Sequence, residues 1–235
     1  MKRFYKEVGT REDEDGKWRV EVDGRVVKTP MKTPIAVPSE ALGMVIAQEW
    51  DAQVDVIAPH TMPATTLAAT VLDRYPGVRD KVVTALVGYL NADSLCFRNH
   101  NPESLALRQK DAWDPVVADL KTHLGIVLDV TDGLIPRHPQ ETPGAVRAYL
   151  EALSDWELAA LEKVAGTTRS VSLALAMHAN LISAHETLVL SRLEEAFQTG
   201  VWGVVEGGHD LDEAVARLDV ATADVAWSLV RAGDL

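Results

Sequence analysis

The hydrophobic pattern of the chain changes its period once, near Pro38-Ser39, and this change restricts the folds open to it. Before that point, residues 17–22 alternate polar and apolar side chains, which is typical of a strand with one buried face. The Asp23-Gly24 pair that follows favours a tight hairpin turn, and residues 25–28 resume an extended pattern. After Ser39, apolar residues recur mainly at helical spacing.

This separation of the two patterns along the chain predicts an α+β protein. We expect a small N-terminal β-rich domain with one helix over residues 1–62, followed by a larger all-helical domain over residues 63–235. The boundary falls at the proline-bounded segment 59–63, where the composition changes. The charged segment 11–16 is expected to be a loop that precedes the first clear strand.

The first helix is predicted to begin after Ser39, whose hydroxyl can cap its N-terminus. One face of this helix is apolar, so Trp50 is expected to be buried on it. The polar neighbours Glu49, Asp51 and Gln53 point elsewhere and form no catalytic arrangement. The apolar face consists of Leu42, Ile46, Trp50, Val54 and Ile57.

Later helices are recognised by signals at their ends. Residues 154–157 have the form of a capping box, Gly125 is typical of a helix C-terminus, and Thr142 stands as a cap residue before a proline. Residues 169–200 are predicted to form one long helix or two, with a break near Ala179-Asn180.

The charge balance argues against two classes of partner. The chain of 235 residues carries a net charge of −12, and its acidity lies after residue 33. Such a protein is repelled by the phosphates of nucleic acid and by anionic lipid headgroups. It attracts a protein that has a basic patch. We therefore expect neither nucleic acid nor a membrane among its partners.

The compartment is constrained by the N-terminus and by the cysteine content. The basic start at Met1–Lys6 is followed by no apolar stretch, so it lacks the form of a secretory signal. The single Cys96 cannot form an internal disulfide, and its apolar neighbours predict a buried, inert thiol. We expect the cytoplasm of a bacterium, or the mitochondrial matrix if the chain is a mature organellar form.

Seven histidines raise the hypothesis of a metal site. His185-Glu186 begins like the helix of a zinc protease, but Val189 stands where the second histidine is required. His178 and His185 are two helical turns apart, and His209-Asp210 resembles the metal-binding pair of His-Asp phosphohydrolases. We favour core packing for the first two and a helix-capping loop for the pair. The alternative function is a metal-dependent hydrolase of this type that uses His178, His185, His209 and Asp210.

Other catalytic signatures are missing from the sequence. It contains neither a glycine-rich phosphate-binding loop nor the glycine-flanked serine of a nucleophile elbow. We therefore predict that the protein is not an enzyme and that it needs no cofactor and no metal.

An acidic pair precedes Trp202-Gly203. On a helical wheel, Glu194 projects opposite the apolar face, so we expect it to be exposed, while Glu195 lies at the margin of that face. Arg192 is three residues from Glu195 and could pair with it. The spacing is equally compatible with a functional surface and with a solvated face that carries a structural ion pair.

Several segments follow one another in an order that points to one family. They are Gly24–Pro30, Glu49–Gln53, Met62-Pro63 with Leu67, Asp93–Arg98, Gln109 with Trp113-Asp114-Pro115, Glu194-Glu195 with Gln198, Trp202-Gly203 and His209-Asp210. The ordered set, rather than any single motif, resembles the ATP12 family of assembly chaperones for the F1 sector of ATP synthase. The resemblance runs from about Phe4 to the last helix.

The resemblance implies a small β-rich domain, a larger helical domain and binding to the free F1 α subunit until the β subunit replaces the chaperone. No cofactor and no catalysis are implied. The family's functional acidic position maps to Glu194 or Glu195, and these residues with Gln198 and Trp202 form the predicted partner-binding set of a monomer. Thr199-Gly200-Val201 departs from the charged run usual in the family. An interaction domain of another complex is a third hypothesis.

Overall fold

The computed structural model describes residues 1–203 and 209–232, without the side chains of residues 209, 210 and 232. Within these residues, four short strands precede ten α-helices, which confirms the predicted α+β class. The strands are β1 (Val8–Glu12), β2 (Trp18–Val22), β3 (Arg25–Val26) and β4 (Ala36–Val37). The helices are α1 (Glu40–Asp51), α2 (Pro63–Asp73), α3 (Tyr75–Tyr89), α4 (Glu103–Leu124), α5 (Thr142–Ala152), α6 (Asp155–Thr168), α7 (Val171–His178), α8 (Ala184–Ser191), α9 (Leu193–Trp202) and α10 (His209–Ala232). Single 3-10 turns lie at Pro59–Thr61, Leu90–Ala92 and Ser94–Cys96.

All strand pairs are antiparallel, and β2 is the central strand. It pairs with β1 on one edge, with Thr10 opposite Val20, and with both β3 and β4 on the other. The predicted hairpin joins β2 to β3 through Asp23 and Gly24, whose φ angles of 47° and 71° are those of a type I′ turn.

The expectation that residues 11–16 form a loop is wrong at its start, because β1 extends to Glu12. This strand lies at the edge of the sheet and is largely exposed, so its sequence has no apolar alternation. Its five-residue antiparallel pairing with β2 holds it in the sheet, and Arg11 Nη2 lies 2.6 Å from Glu21 Oε1 on that neighbouring strand.

The described chain packs as two compact units. The first comprises residues 1–79 and 154–160 and the part of α10 from Asp224 onward. The second comprises residues 80–153 and 161–223. These units group residues by packing rather than by chain order, and the expected domain boundary between residues 62 and 63 stays a prediction.

In the first unit, α1 packs closely against the sheet. A Cβ atom on Gly43 would lie 3.3 Å from Thr10 Cγ2 and from the Cβ of Trp18, so a glycine permits this approach. Trp50 is buried as predicted, and the Tyr5 hydroxyl donates to the Trp50 carbonyl across 2.6 Å. Val54 was expected on the same face, but it is 77% exposed because α1 already ends at Asp51.

The polar residues beside Trp50 organise the next helix. The Glu49 carboxylate accepts hydrogen bonds from the main-chain N–H groups of Ala64 and Thr65, each across 2.7 Å. These are unpaired donors in the first turn of α2, and the Thr65 hydroxyl adds a third bond. Gln53 is buried, and its amide donates to the Glu49 carbonyl. The segment Glu49–Gln53 is therefore a structural connection between two helices.

In the second unit, the fully buried Asp93 ties a 3-10 turn to α7. Its carboxylate accepts from the main-chain N–H groups of Leu95 and Ser172 and from the Ser170 hydroxyl. Burial raises the pKa of the Asp93 carboxyl, and these three donors oppose that effect. All residues of α7 are themselves buried, so this carboxylate anchors a core helix.

The helix ends follow the sequence signals except at Thr142. Ser39 and Ser154 cap α1 and α6 as predicted, and Gly125 ends α4 in the left-handed conformation with a φ of 67°. Thr142 is the first residue of α5 rather than its cap, because its hydroxyl donates to the Val127 carbonyl across 2.6 Å.

Candidate functional site

Two breaks divide the segment 169–200 into the three helices α7, α8 and α9. Asn180 has a positive φ of 57°, and a capping box of Ser183 and Glu186 then starts α8. At Arg192 the backbone leaves helical geometry, and α9 begins at the next residue. The break near residue 180 is confirmed, whereas the expectation of one or two helices is wrong because the second break was missed.

The second break turns Glu194 toward the second unit's own polar groups. Its Oε1 atom accepts from the side-chain amides of Asn99, across 2.8 Å, and Gln109, across 2.6 Å. Gln109 is fully buried, and its carbonyl oxygen accepts from the main-chain N–H of Asn99. The expectation that Glu194 is exposed is therefore wrong: the carboxylate is half-buried and accepts from two side-chain amides.

Glu195 pairs with Arg192 as the sequence predicts. The Arg192 Nη2 atom lies 2.6 Å from Glu195 Oε1, and Glu213 of α10 lies 3.9 Å from the same nitrogen. The Arg192 side chain is only 20% exposed, so the pair is partly shielded from water. The two neighbouring glutamates thus have different partners. Glu194 is bound by two neutral amides, and Glu195 is bound by a cation.

The outer face of α9 carries the remaining predicted residues. Gln198 is exposed, and Trp202 in the last turn is 77% exposed beside Val201 at 57%. The opposite face is anchored by Phe197, which is buried under the guanidinium of Arg108 at 5.4 Å from the ring centre. Because one face is fixed in this way, the Trp202 indole projects from a held helix.

A cleft of about 670 Å³ lies between the end of α6, the start of α9 and the start of α10. Leu211 and Val215 of α10 line it while being 67% and 50% exposed. The cleft therefore combines charged walls with apolar side chains open to solvent. Its charged lining residues are Arg169, Arg192, Glu194, Glu195 and Asp212.

The extended segment after Cys96 positions a hydrogen-bond donor for Glu194. Arg98 donates to the Asp114 carboxylate across 3.0 Å, and its guanidinium lies 5.0 Å from the centre of the Trp113 ring. The indole nitrogen of Trp113 in turn donates to the Leu190 carbonyl. The next residue, Asn99, donates to Glu194, so the stacking of Arg98 on Trp113 helps to fix the position of Asn99.

Sequence reasoning gave Asn99 and Gln109 no role at the site. Both lie about 90 residues before Glu194 in the chain, and no periodic pattern links positions so far apart. Gln109 and Trp113 did belong to the ordered set that carries the family resemblance, which was the available signal.

The residues of the hydrolase alternative are not brought together in the described part of the chain. His178 is buried, and its Nδ1 lies 2.7 Å from the Tyr149 hydroxyl. His185 is exposed on α8, beyond the turn at Asn180, so the expectation of core packing holds for His178 and is wrong for His185. His209 and Asp210 begin α10 itself, so the expectation of a capping loop before that helix is wrong, and their side chains lie outside the described residues. Among the residues described, no three potential metal ligands cluster.

Cys96 has the environment of an inert thiol. It is fully buried, and burial raises the pKa of its sulfhydryl far above the physiological range. The described helices include none that is both long and apolar enough to span a bilayer.

The site combines a hydrogen-bonded carboxylate, an exposed indole on an anchored helix and a cleft with an apolar rim. These are features of a protein that holds another protein. The sequence model of the ATP12 chaperone protein family matches residues 2–121. The crystal structure of Atp12 from Paracoccus denitrificans superposes with a TM-score of 0.91 at 33% identity and covers 98% of each chain.

Two fungal proteins extend the comparison. The mitochondrial protein atp12 of Schizosaccharomyces pombe is 26% identical over 96% of this chain and 81% of its own length. The mitochondrial protein ATP12 of Saccharomyces cerevisiae is 29% identical over 95% of this chain and 83% of its own length. The chain belongs to the ATP12 family of chaperones, which act in ATP synthase assembly. This confirms the family predicted from the sequence and agrees with a role other than catalysis.

Proposed function

We propose that this chaperone binds the unassembled α subunit of the F1 sector and covers its assembly interface until the β subunit replaces it. Family membership supports a chaperone of ATP synthase assembly, and the geometry of the second unit supports a site for one protein partner. Glu194, Glu195, Gln198 and Trp202 are the proposed contact residues.

The observation that carries the proposal is the exposure of Trp202. An indole that is 77% exposed leaves a large apolar surface in water, and tryptophan is among the side chains that contribute most at protein interfaces. Its helix is already anchored through Phe197, so less side-chain and backbone freedom is lost on binding.

The charge of the site matches a partner with a basic group. The chain carries a net charge of −12, and three of the five charged residues that line the cleft are carboxylates. Glu194 receives two neutral amide donors and no cation among its described hydrogen bonds, so its negative charge is stabilised without being neutralised. An arginine or lysine of the partner is therefore attracted to this position.

Release follows from competition between two interfaces. An unassembled subunit exposes apolar surface that otherwise promotes aggregation, and the chaperone covers part of it. The native contact with the β subunit must be the more stable of the two, because both partners compete for the same surface. The chaperone then leaves without any chemical step.

Substitutions at Trp202 test this site. Trp202→Ser should weaken binding of purified α subunit at least about tenfold, because interface tryptophans are common hot spots. Val189→Ser is the matched control, since Val189 is 56% exposed on the neighbouring helix α8. Unchanged affinity of the Trp202 variant in calorimetric titration contradicts this placement of the site.

The remaining expectations belong to the same proposal. We infer a monomeric chaperone that forms a one-to-one complex, with the domain boundary between residues 62 and 63. Its proposed location is the bacterial cytoplasm, or the mitochondrial matrix for an organellar protein; the two fungal relatives are named mitochondrial. Sedimentation of the free protein and of the complex measures both stoichiometries.

A further inference from the structure

The connection between α4 and α5 presents two large aliphatic side chains to solvent. Leu134 is 94% exposed and Ile135 is 66% exposed, at the tip of the loop formed by residues 129–138. The site proposed above includes neither residue. Single exposed aliphatics are common on protein surfaces, whereas two adjacent ones at a loop tip form a small apolar projection.

Main-chain hydrogen bonds hold the first part of this loop against the segment that follows Cys96. The N–H of Thr131 donates to the Cys96 carbonyl across 2.8 Å, and the Thr131 carbonyl accepts from the N–H of Arg98 across 2.9 Å. Thr131 and Phe97 thereby form a parallel bridge. The loop is thus joined to a part of the chain that is itself packed.

The second part of the loop is closed by Asp129 and His138. The Asp129 carboxylate accepts from the Arg137 N–H across 2.6 Å, and the Asp129 N–H donates to His138 Nδ1 across 3.1 Å. Since Nδ1 accepts, the ring proton lies on Nε2, which donates to the Leu90 carbonyl across 3.0 Å. Both ends of the loop are fixed, so the tip is preorganised for binding.

The charge of the whole chain favours a protein over a lipid surface at the tip. Asp129 and Asp132 precede the tip and Arg137 follows it, while the chain carries a net charge of −12, so an anionic membrane repels the molecule. A short apolar projection on a fixed base instead has the form of an anchor that fills a pocket. We propose that Leu134 and Ile135 insert into an apolar pocket of the partner subunit that binds at Glu194 and Trp202.

The choice of that partner rests on the proposed function and on the continuity of the two surfaces. Asn99 bonds to Glu194, and the preceding residue, Arg98, bonds to Thr131 of the loop. One packed segment therefore carries both. Covalent geometry limits the tip to within about 20 Å of Asn99. A standard interface of about 800 Å² on each partner is about 30 Å across, so a partner that binds at Glu194 can also reach the tip.

The test compares matched leucine substitutions in binding to purified F1 α subunit. Leu134→Ser/Ile135→Ser should weaken binding at least about tenfold, as expected for the loss of a buried anchor. Leu107→Ser, at a leucine that is 53% exposed on α4, should leave binding unchanged. Because Leu134 and Ile135 are exposed, the double variant should keep the wild-type melting temperature, which separates lost binding from lost folding.

A fluorescent label gives a second, independent readout. Cys96 is the sole cysteine and is buried, so Leu134→Cys provides a single accessible thiol for an environment-sensitive dye. Addition of the α subunit should shift the dye emission to the blue, whereas the same label at Leu107→Cys should not respond. A shift produced by vesicles of phosphatidylcholine and phosphatidylglycerol would identify a membrane, rather than the partner subunit, as the surface that the tip binds. A shift produced by unlabelled chaperone would identify a second copy of the chain. Either result contradicts the proposal.

The outcomes separate the two proposals. If the wild-type chaperone does not bind the α subunit, the proposed function fails. If the wild type binds and the double variant binds equally well, the anchor is wrong while the proposed function stands.

Discussion

The buried Gln109 amide donates a hydrogen bond to the Glu194 carboxylate across 2.6 Å. These residues are 85 positions apart, and the same Gln109 side chain accepts from the main chain of Asn99. A neutral side chain with both a donor and an acceptor thus fixes the carboxylate without cancelling its charge.

Gln109→Glu should make the free energy of unfolding depend on pH, because it places a second carboxylate beside Glu194. Two carboxylates at hydrogen-bond distance cannot both ionise easily, so the pKa of one rises in the folded state. The folded state then binds more protons than the unfolded state, and stability falls as pH rises above about 4.3. We expect a loss of about 1–3 kcal/mol at pH 8 and a smaller loss at pH 5. Urea denaturation at pH 8 and at pH 5 measures the two losses, and Gln198→Glu, at an exposed position, is the control. Equal losses for Gln109→Glu at the two pH values would contradict the pairing.

Glu49→Ala should destabilise the first unit through α2. The substitution removes three acceptor contacts at the start of that helix and leaves its first N–H groups unpaired. A loss of about 1–2 kcal/mol in the free energy of unfolding is expected from the loss of a helix cap. Asp51→Ala is the control, because Asp51 is 68% exposed in its ion pair with Arg3 and should contribute less than about 1 kcal/mol. Similar losses for the two variants would remove Glu49 from this role.

Trp50→Phe should be tolerated far better than Trp50→Ala. In the described part of the chain, the buried indole nitrogen of Trp50 has no hydrogen-bond partner, so removing it relieves an unsatisfied donor. We expect a cost below about 1.5 kcal/mol for phenylalanine and about 3–5 kcal/mol for alanine, which leaves a cavity. Chemical denaturation of the two variants checks the order. An equally large loss in both would mean that the nitrogen is bonded, for example to buried water.

Asp23 should contribute to acid sensitivity of the N-terminal sheet. The main-chain N–H groups of Glu7 and Lys6 donate to its carboxylate and lower its pKa in the folded state. Because the folded-state pKa is the lower one, the stabilisation is present above the ordinary aspartate range near about 3.9 and is lost as pH falls through the folded-state value. Asp23→Asn should therefore lose less melting temperature than the wild type between pH 5 and pH 2.5. Parallel curves would contradict this contribution.

The sequence predicted elements whose signals are local. The β2–β3 hairpin follows from Asp23-Gly24, the caps follow from Ser39 and Ser154, and the burial of Trp50 follows from helical spacing. The edge strand β1 was missed at Arg11-Glu12, because an exposed strand needs no apolar alternation.

The geometry of the site was less predictable because its contacts are distant in the chain. The Arg192–Glu195 pair was predictable at a spacing of three residues. The half-burial of Glu194 was not, since it depends on a helix break at Arg192 and on Asn99 and Gln109 from elsewhere in the second unit. A helical wheel drawn through a break assigns side chains to the wrong faces.

The most direct test of the account is binding to the isolated F1 α subunit followed by competition with the β subunit. Sedimentation should show a one-to-one complex of chaperone and α subunit, and added β subunit should release free chaperone as the α–β complex forms. The central claim is contradicted if the folded chaperone leaves the α subunit unbound, or if the β subunit joins the complex without displacing it.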